Sequence, residues 1–144
     1  MTNPVTAILW PTFVLVALVY IVWFVMYVCR IGLMKRQPPT AEDFATGDAA
    51  MRYFQPVEMP ANNLRNLFEM PVLYFALVPL LLIAHMANHL QATLAWAYVT
   101  LRILHSLVHI GRGQVVVRFA IYVLSCAVLA AMWIGFAVDI AAAS

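Results

Sequence analysis

The sequence predicts an all-α integral membrane protein, a single bundle of four transmembrane helices over residues 1–144. Hydrophobic residues make up 65% of the chain and charged residues only 10%, whereas soluble domains are about 25% charged. The mean hydropathy is +0.91. Four apolar segments, over about 5–30, 63–86, 90–110 and 115–140, each reach the roughly 20 residues that cross a bilayer.

The first segment, 5–30, carries no charged side chain before Arg30. We expect a membrane helix here and not a cleaved signal peptide, because no Lys or Arg precedes the apolar run and the run is too long. Arg30, Lys35 and Arg36 then end the predicted span.

The connection 31–62 is the one long polar stretch of the chain. Pro38 and Pro39 near its start interrupt helical structure. The sequence from Thr40 to Asp43 resembles a weak capping box, which predicts a short interfacial helix over roughly 41–53.

The second segment, 63–86, begins with polar side chains that belong on one helix face. At the helical turn angle, four of them fall within an arc of about 100°: Asn62, Arg65, Asn66 and Glu69. A charge in hydrocarbon costs roughly 3 kcal/mol or more, so we expect this face to border protein or a wet pocket. Pro71 frees the carbonyl of Leu67 and predicts a kink just after Glu69.

The third segment, 90–110, carries a second polar stripe. Five side chains fall within about 80° of one another: Tyr98, Arg102, His105, His109 and Arg112. The fourth segment, 115–140, begins with Arg118. Its small residues at a spacing of four, Ala127, Ala131 and Gly135, predict a packing surface, either within the protomer or between protomers.

Helical rise places the two stripes at similar depth beneath the inner membrane face. The sequence therefore predicts one pocket bordered by seven side chains: Arg65, Asn66, Glu69, Arg102, His105, His109 and Arg118. A Glu69–Arg102 ion pair is the expected way to tolerate both charges. The alternative is a polar network that only sets the register of the helices.

The cations predict the orientation of the chain. All eight Lys and Arg lie within or beside 30–65 and 102–118. The positive-inside rule then places both of these regions in the cytoplasm and both termini outside. No basic run supports nucleic-acid binding. No metal site is expected, because the pairs His85/His89 and His105/His109 lie at opposite ends of the bundle and lack further ligands.

The run from Asn66 to Pro71, N-L-F-E-M-P, resembles the MAPEG family, the membrane-associated proteins of eicosanoid and glutathione metabolism. Arg102-x-x-His105-x-x-x-His109 is similar to the family's R-x-x-Y-x-x-x-Y. The resemblance covers nearly the whole chain and identifies a divergent, bacterial-type member. It implies a homotrimer in the bacterial inner membrane, with a glutathione site between adjacent subunits that opens to the cytoplasmic leaflet.

The resemblance also implies roles for individual residues. Asn66 and Glu69 would hold the polar groups of glutathione, with Arg102 beside them. Arg118 is the first choice and Arg112 the second for the arginine that stabilises the thiolate. The further predicted glutathione contacts are Arg30, Asn62, Arg65, His105 and His109. The chain departs from the family pattern at Asn62, where an arginine is usual, at both histidines, which replace tyrosines, and at Met70.

The implied function is a glutathione-dependent transferase or peroxidase that acts on lipophilic electrophiles at the cytoplasmic leaflet. Its partners would be a second and third copy of the chain, membrane lipid and a lipophilic small molecule. Two alternatives come from other classes of protein. One is a non-enzymatic trimer of the same fold that binds lipid or another amphiphile, and the other is a small multidrug-type transporter with Glu69 as its membrane carboxylate.

Overall fold

The computed structural model describes residues 3–111 and 114–143, which form helices, turns and connecting segments with no strand in these ranges. The α-helices in chain order are α1 Pro4–Arg36, α2 Gly47–Phe54, α3 Met59–Leu67, α4 Pro71–Ile83, α5 His89–Ile110 and α6 Val115–Ala143. Short 3-10 helices lie at Glu42–Phe44 and Gln55–Val57. The chain is therefore all-helical throughout the described part.

Helix α1 is longer than the predicted segment 5–30 and runs on to Arg36. Its first turn is capped by the Asn3 side chain, whose oxygen accepts a hydrogen bond from the Val5 N–H at 3.0 Å. Lys35 and Arg36 lie in its last turn, where cations are favoured by the helix dipole. The helix therefore continues beyond the predicted segment as far as these cations.

The connection between α1 and α3 contains two short helices where one was predicted over 41–53. The Asp43 carboxylate accepts hydrogen bonds from the Thr40 backbone N–H at 2.8 Å and from its hydroxyl at 2.9 Å. The 3-10 turn Glu42–Phe44 is closed separately by the Ala45 N–H, which donates to the Glu42 carbonyl at 3.2 Å. Helix α2 then starts separately at Thr46, whose hydroxyl oxygen accepts from the Ala49 N–H at 3.1 Å.

The kink expected beside Pro71 is present as a complete break between α3 and α4. Residues 68–70 are not helical, and Pro71 is the first residue of α4. Since proline has no backbone N–H, the carbonyl of Leu67 cannot receive its usual partner from Pro71. The break places Glu69 outside both helices.

Helix α5 lies against α1, α3 and α6 and carries the central part of the core. The Tyr98 ring stacks on the Tyr74 ring of α4 with centroids 5.2 Å apart. The Tyr74 hydroxyl is in turn 3.0 Å from the Thr12 hydroxyl of α1. Apolar side chains buried around this stack complete the core: Ile8, Leu15, Leu77, Leu81, Val99 and Met132.

Three helical stretches are long and apolar enough to cross a membrane, namely Pro4–Arg36, Met59–Ile83 and Val115–Ala143. Many of their large apolar side chains are exposed on the isolated chain. Helix α5 is not among these candidates, and it carries buried polar residues along one face. The protein is thus an all-helical membrane protein with three candidate spans in the described part of the chain.

Candidate functional site

The polar stripe predicted for the third segment lies on the buried face of α5. Arg102 is completely buried, and His105, Ser106 and His109 are at most 4% exposed. The helical spacing explains why these side chains share one face. Polar groups buried in this way need partners, so their contacts define what the site can do.

A pocket of about 230 Å³ lies where α3, α5 and α6 meet. Its polar wall combines the amide of Asn66, the imidazole of His105, the guanidinium of Arg118 and the phenol of Tyr122. Val115 and Phe119 form the apolar part of the wall. Three helices therefore contribute hydrogen-bonding groups to one small volume.

The side of the pocket formed by α3 is connected to α5 by two polar contacts. The Asn66 amide nitrogen lies 3.4 Å from Nδ1 of His109. One turn earlier, the side-chain amide oxygen of the buried Asn63 accepts a hydrogen bond from the Ser106 hydroxyl at 3.3 Å. These contacts hold the amide-bearing face of α3 toward the histidines.

The aromatic rings around the pocket form a continuous row of contacts from α5 to α6. The rings of His105 and His109 meet edge to face with centroids 5.5 Å apart, and the rings of His105 and Tyr122 are 5.7 Å apart. His105 has a buried Nδ1 without a hydrogen-bond partner within 3–111 and 114–143. The imidazole is thus held in this position by ring packing, with Nδ1 buried away from the open side of the pocket.

Arg102 lies behind the pocket wall. Its Nη2 donates to the Ser125 hydroxyl oxygen at 2.5 Å and lies 3.8 Å from the Cys126 sulfur. The guanidinium is 4.8 Å from the centroid of the Tyr122 ring and 5.5 Å from that of Tyr98. Nε and Nη1 have no hydrogen-bond partner among the described residues.

The predicted Glu69–Arg102 ion pair is wrong. Glu69 is exposed on the isolated chain, while Arg102 is fully buried and directed toward Ser125 on α6. The break over 68–70 explains the error, because the helical angle that aligned Glu69 with Arg65 and Asn66 does not continue through it. Among the described residues, the one ion pair joins Arg30 and Glu58.

The structure brings together only some of the predicted pocket residues. Asn66, His105 and Arg118 line the pocket, and His109 contacts it through Asn66. Arg65 is exposed and Asn62 is half-buried, and neither lines the pocket. Arg112 lies outside the described residues.

Arg30 has partners away from the pocket. Its guanidinium is 3.6 Å from the Glu58 carboxylate and lies over the Phe54 ring at 4.7 Å from the centroid. Its contacts therefore connect α1 with the segment that leads into α3.

The pocket-lining residues that the sequence did not identify as ligand contacts are Val115, Phe119 and Tyr122. Arg118, Tyr122 and Ser125 follow one another at about one residue per helical turn, so they share one face of α6. This spacing alone does not show that the face lies toward α5, because the rotation of one helix about its axis depends on its neighbours.

The polar wall of the pocket favours an anionic ligand. It contains a cationic guanidinium, an imidazole, an amide and a phenol, and no carboxylate among its lining residues. Guanidinium groups form strong charge-assisted hydrogen bonds with carboxylates. Within the residues that the structure describes, no group of three or more His, Cys, Asp or Glu side chains is arranged to hold a metal ion.

A second, apolar pocket of about 320 Å³ lies between α1 and the α3–α4 stretch. Three aromatic side chains of its wall, Tyr20, Trp23 and Phe68, are exposed on the isolated chain. The remaining lining residues are Val16, Val19, Leu64 and Phe75. Its wall suits an apolar group that arrives from lipid.

Comparison with known proteins gives one match. The sequence model of the MAPEG family matches residues 8–138, which is nearly the whole chain. No curated protein and no solved structure matches the chain. The matched range includes the pocket-lining residues of α3, α5 and α6.

Proposed function

The chain belongs to the MAPEG family of membrane proteins, and we propose that it is a glutathione-dependent transferase or peroxidase acting on lipophilic electrophiles. Glutathione would bind in the pocket formed by α3, α5 and α6. It is a co-substrate in this proposal. The electrophile would reach it from the bilayer.

One observation carries the proposal: an amide, an imidazole and a guanidinium from three helices converge on a pocket whose wall has no carboxylate. Glutathione has two carboxylates, one ammonium group, a thiol and two peptide groups, so it is a net anion at neutral pH. Arg118 can pair with one carboxylate, and Asn66 can bond a peptide group. His105 adds an imidazole to the wall beside them.

The chemistry requires the thiolate of glutathione. A free cysteine thiol has a pKa of about 8.5, and a nearby guanidinium favours the anion. Arg118 is the group that would stabilise the thiolate, with Arg112 as the second choice. In the conjugation step the sulfur lone pair forms the bond to carbon, and the leaving group departs with its bonding electrons. His105 or water accepts the thiol proton beforehand.

The remaining predicted contacts would have to come from a fuller assembly. Glu69 and Arg65 are exposed on the isolated chain, where a neighbouring protomer could cover them. Ala127 and Ala131 are exposed along α6, and small residues at this spacing permit close helix packing. We therefore include a homotrimer in the proposal, with α5 as a fourth span and with both charged connections in the cytoplasm.

Glutathione titration by calorimetry, on the purified protein in lipid nanodiscs, tests the proposal. The wild type should bind glutathione, and Arg118→Ala should weaken binding at least about tenfold through loss of a charge-assisted hydrogen bond. Arg52→Ala is the matched control, because Arg52 is an exposed cation on α2 that does not line the pocket. Binding that is absent in the wild type, or equally reduced in both variants, would reject glutathione as the ligand.

The apolar pocket supports a second candidate, a non-enzymatic membrane protein that binds lipid or another amphiphile. In this case lipid should remain bound to the purified wild type. Trp23→Ala should release this lipid, and Arg118→Ala should not. An assay with glutathione and a generic aryl halide then distinguishes the transferase from the lipid-binding protein. Formation of its glutathione conjugate at a rate dependent on Arg118 supports the transferase and not the binding protein.

A further inference from the structure

Arg102 is a buried cation that few hydrogen bonds hold in place. Its side chain is 0% exposed, and two of its three nitrogens have no hydrogen-bond partner among the described residues. No described carboxylate lies within ion-pair distance of it. The orientation of the guanidinium therefore depends on the contacts of Nη2 and on its two aromatic neighbours.

Ser125 supplies the short hydrogen bond of this set. Its hydroxyl oxygen accepts from Nη2 of Arg102 at 2.5 Å, while the hydroxyl donates to the backbone carbonyl of Tyr122 at 2.6 Å. Ser125 is itself 0% exposed. The donated bond fixes the orientation of the hydroxyl within its own helix. A lone pair of the oxygen is therefore directed toward Nη2 of Arg102.

Tyr122 is the side chain that connects this buried pair to the pocket. Its ring contacts both the Arg102 guanidinium, which lies over it at 4.8 Å from the centroid, and the His105 ring, at 5.7 Å. Both Tyr122 and His105 line the pocket, whereas Arg102 and Ser125 do not. A shift of the guanidinium would thus move the Tyr122 ring, whose face it contacts, and so change the wall of the pocket.

We infer that Ser125 is a positioning residue, which acts through the Arg102 guanidinium to hold the Tyr122 ring at the wall of the pocket. Only the expected effect of Ser125 on catalysis rests on the proposed function, because the position of the Tyr122 ring can be measured without a ligand. Cys126 cannot replace Ser125 in this role, because its sulfur is 3.8 Å from Nη2 and sulfur is a weak acceptor.

The test uses the full-length protein in nanodiscs, labelled with 3-fluorotyrosine and observed by fluorine NMR. The chain has six tyrosines, and the Tyr122 resonance is assigned by its loss in Tyr122→Phe. Ser125→Ala should shift the Tyr122 resonance by more than its linewidth. Ser125→Thr, which keeps a hydroxyl, should leave the resonance near its wild-type position.

The control is Thr93→Ala, which removes an exposed hydroxyl whose one hydrogen bond within 3–111 and 114–143 is to the His89 carbonyl, one turn earlier in α5. It should leave the Tyr122 resonance unmoved. If the resonance stays in place in Ser125→Ala, or moves equally in Thr93→Ala, the inference is overturned. A merely structural role would lower stability in Ser125→Ala and leave the Tyr122 resonance in place.

Arg102→Lys gives a second route if Ser125→Ala fails to fold. Lysine keeps the charge but has no planar guanidinium that can bond Ser125 and cover the Tyr122 ring together. The Tyr122 resonance should again shift. An unchanged resonance in this variant would overturn the inference as well.

Glutathione is then added to the same samples. A glutathione-dependent rate that falls about tenfold or more in Ser125→Ala and recovers in Ser125→Thr supports the positioning role in catalysis. A Tyr122 resonance that responds to Ser125→Ala but not to glutathione rejects the proposed function and leaves the inference standing. A Tyr122 resonance that responds to glutathione but not to Ser125→Ala rejects the inference and leaves the proposed function standing.

Discussion

The amide nitrogen of Asn66 lies 3.4 Å from Nδ1 of His109, which joins the end of α3 to the last turn of α5 across 43 positions of sequence. The contact fixes the orientation of an amide that lines the pocket. An imidazole nitrogen that carries no proton can accept a hydrogen bond from the amide.

Asn66→Ala should therefore weaken glutathione binding by about tenfold, which corresponds to about 1.4 kcal/mol and to the loss of about one net hydrogen bond. Calorimetric titration in nanodiscs measures the change. Gln55→Ala removes an exposed amide in the connection and should leave the dissociation constant unchanged. Equal effects of the two substitutions would contradict a ligand contact by Asn66.

Removal of the Ser125 hydroxyl should destabilise the protein by about 1.5–3 kcal/mol, because a buried charged donor then lacks its acceptor. The cost should be smaller in an Arg102→Met background, where the charge is absent. Equilibrium unfolding in mixed micelles of the single and double variants measures this coupling. Additive free energies of unfolding would show that Arg102 and Ser125 do not depend on each other.

Pro71→Ala should restore a backbone N–H that can reach the Leu67 carbonyl and allow α3 to continue into α4. The rotation of Glu69 about the helix axis would then change. We expect distances between spin labels placed on α3 and α4 to lengthen as the helix straightens. Pro79→Ala within α4 is the control, and it should leave these distances as they are in the wild type.

His85→Gly should stabilise the protein by roughly 1 kcal/mol, since a left-handed backbone conformation strains a residue that has a Cβ. His85 has a φ of 55° at the end of α4, where the following Met86 N–H bonds back to the Leu81 carbonyl at 2.9 Å. The midpoint of thermal unfolding reports the change. His89→Gly, at a position without positive φ, should give no stabilisation.

Acid should loosen the connection between α1 and α3 through Asp43. Hydrogen bonds from the Thr40 backbone and side chain hold the pKa of the Asp43 carboxyl below its usual 3.8. Since the folded-state pKa is depressed, its stabilisation is fully present above about pH 4 and is lost as the pH falls through the folded value. Hydrogen exchange of residues 40–46 should accelerate there, and Asp43→Asn should abolish the dependence on pH.

The fold class could be predicted from the sequence because membrane helices depend on the local length and hydropathy of a segment. The apolar runs within α1 and α6 are long enough to show this without knowledge of their neighbours. The same local chemistry predicted the interruption at Pro71, which requires only the missing N–H. The run Asn66–Pro71, on which the resemblance to the MAPEG family rested, is also contiguous, and the family match covers it.

The periodicity of a helix likewise showed which side chains of α5 share a face. Arg102, His105 and His109 are all on its buried side, as their spacing indicates. Their partners could not be derived in this way. Periodicity describes one helix at a time and contains no information on how an adjacent helix is rotated.

Tertiary packing therefore decided the partner of Arg102. The sequence pointed to the carboxylate of Glu69 as the strongest electrostatic match at similar depth, but the break after α3 displaces Glu69 and the packing of α6 presents Ser125 and Tyr122. By itself the sequence determined which segments are helical and apolar and which faces are polar, because these properties arise from neighbouring residues. Which faces meet was decided only by the three-dimensional packing of the helices, because it depends on contacts between residues far apart in the chain.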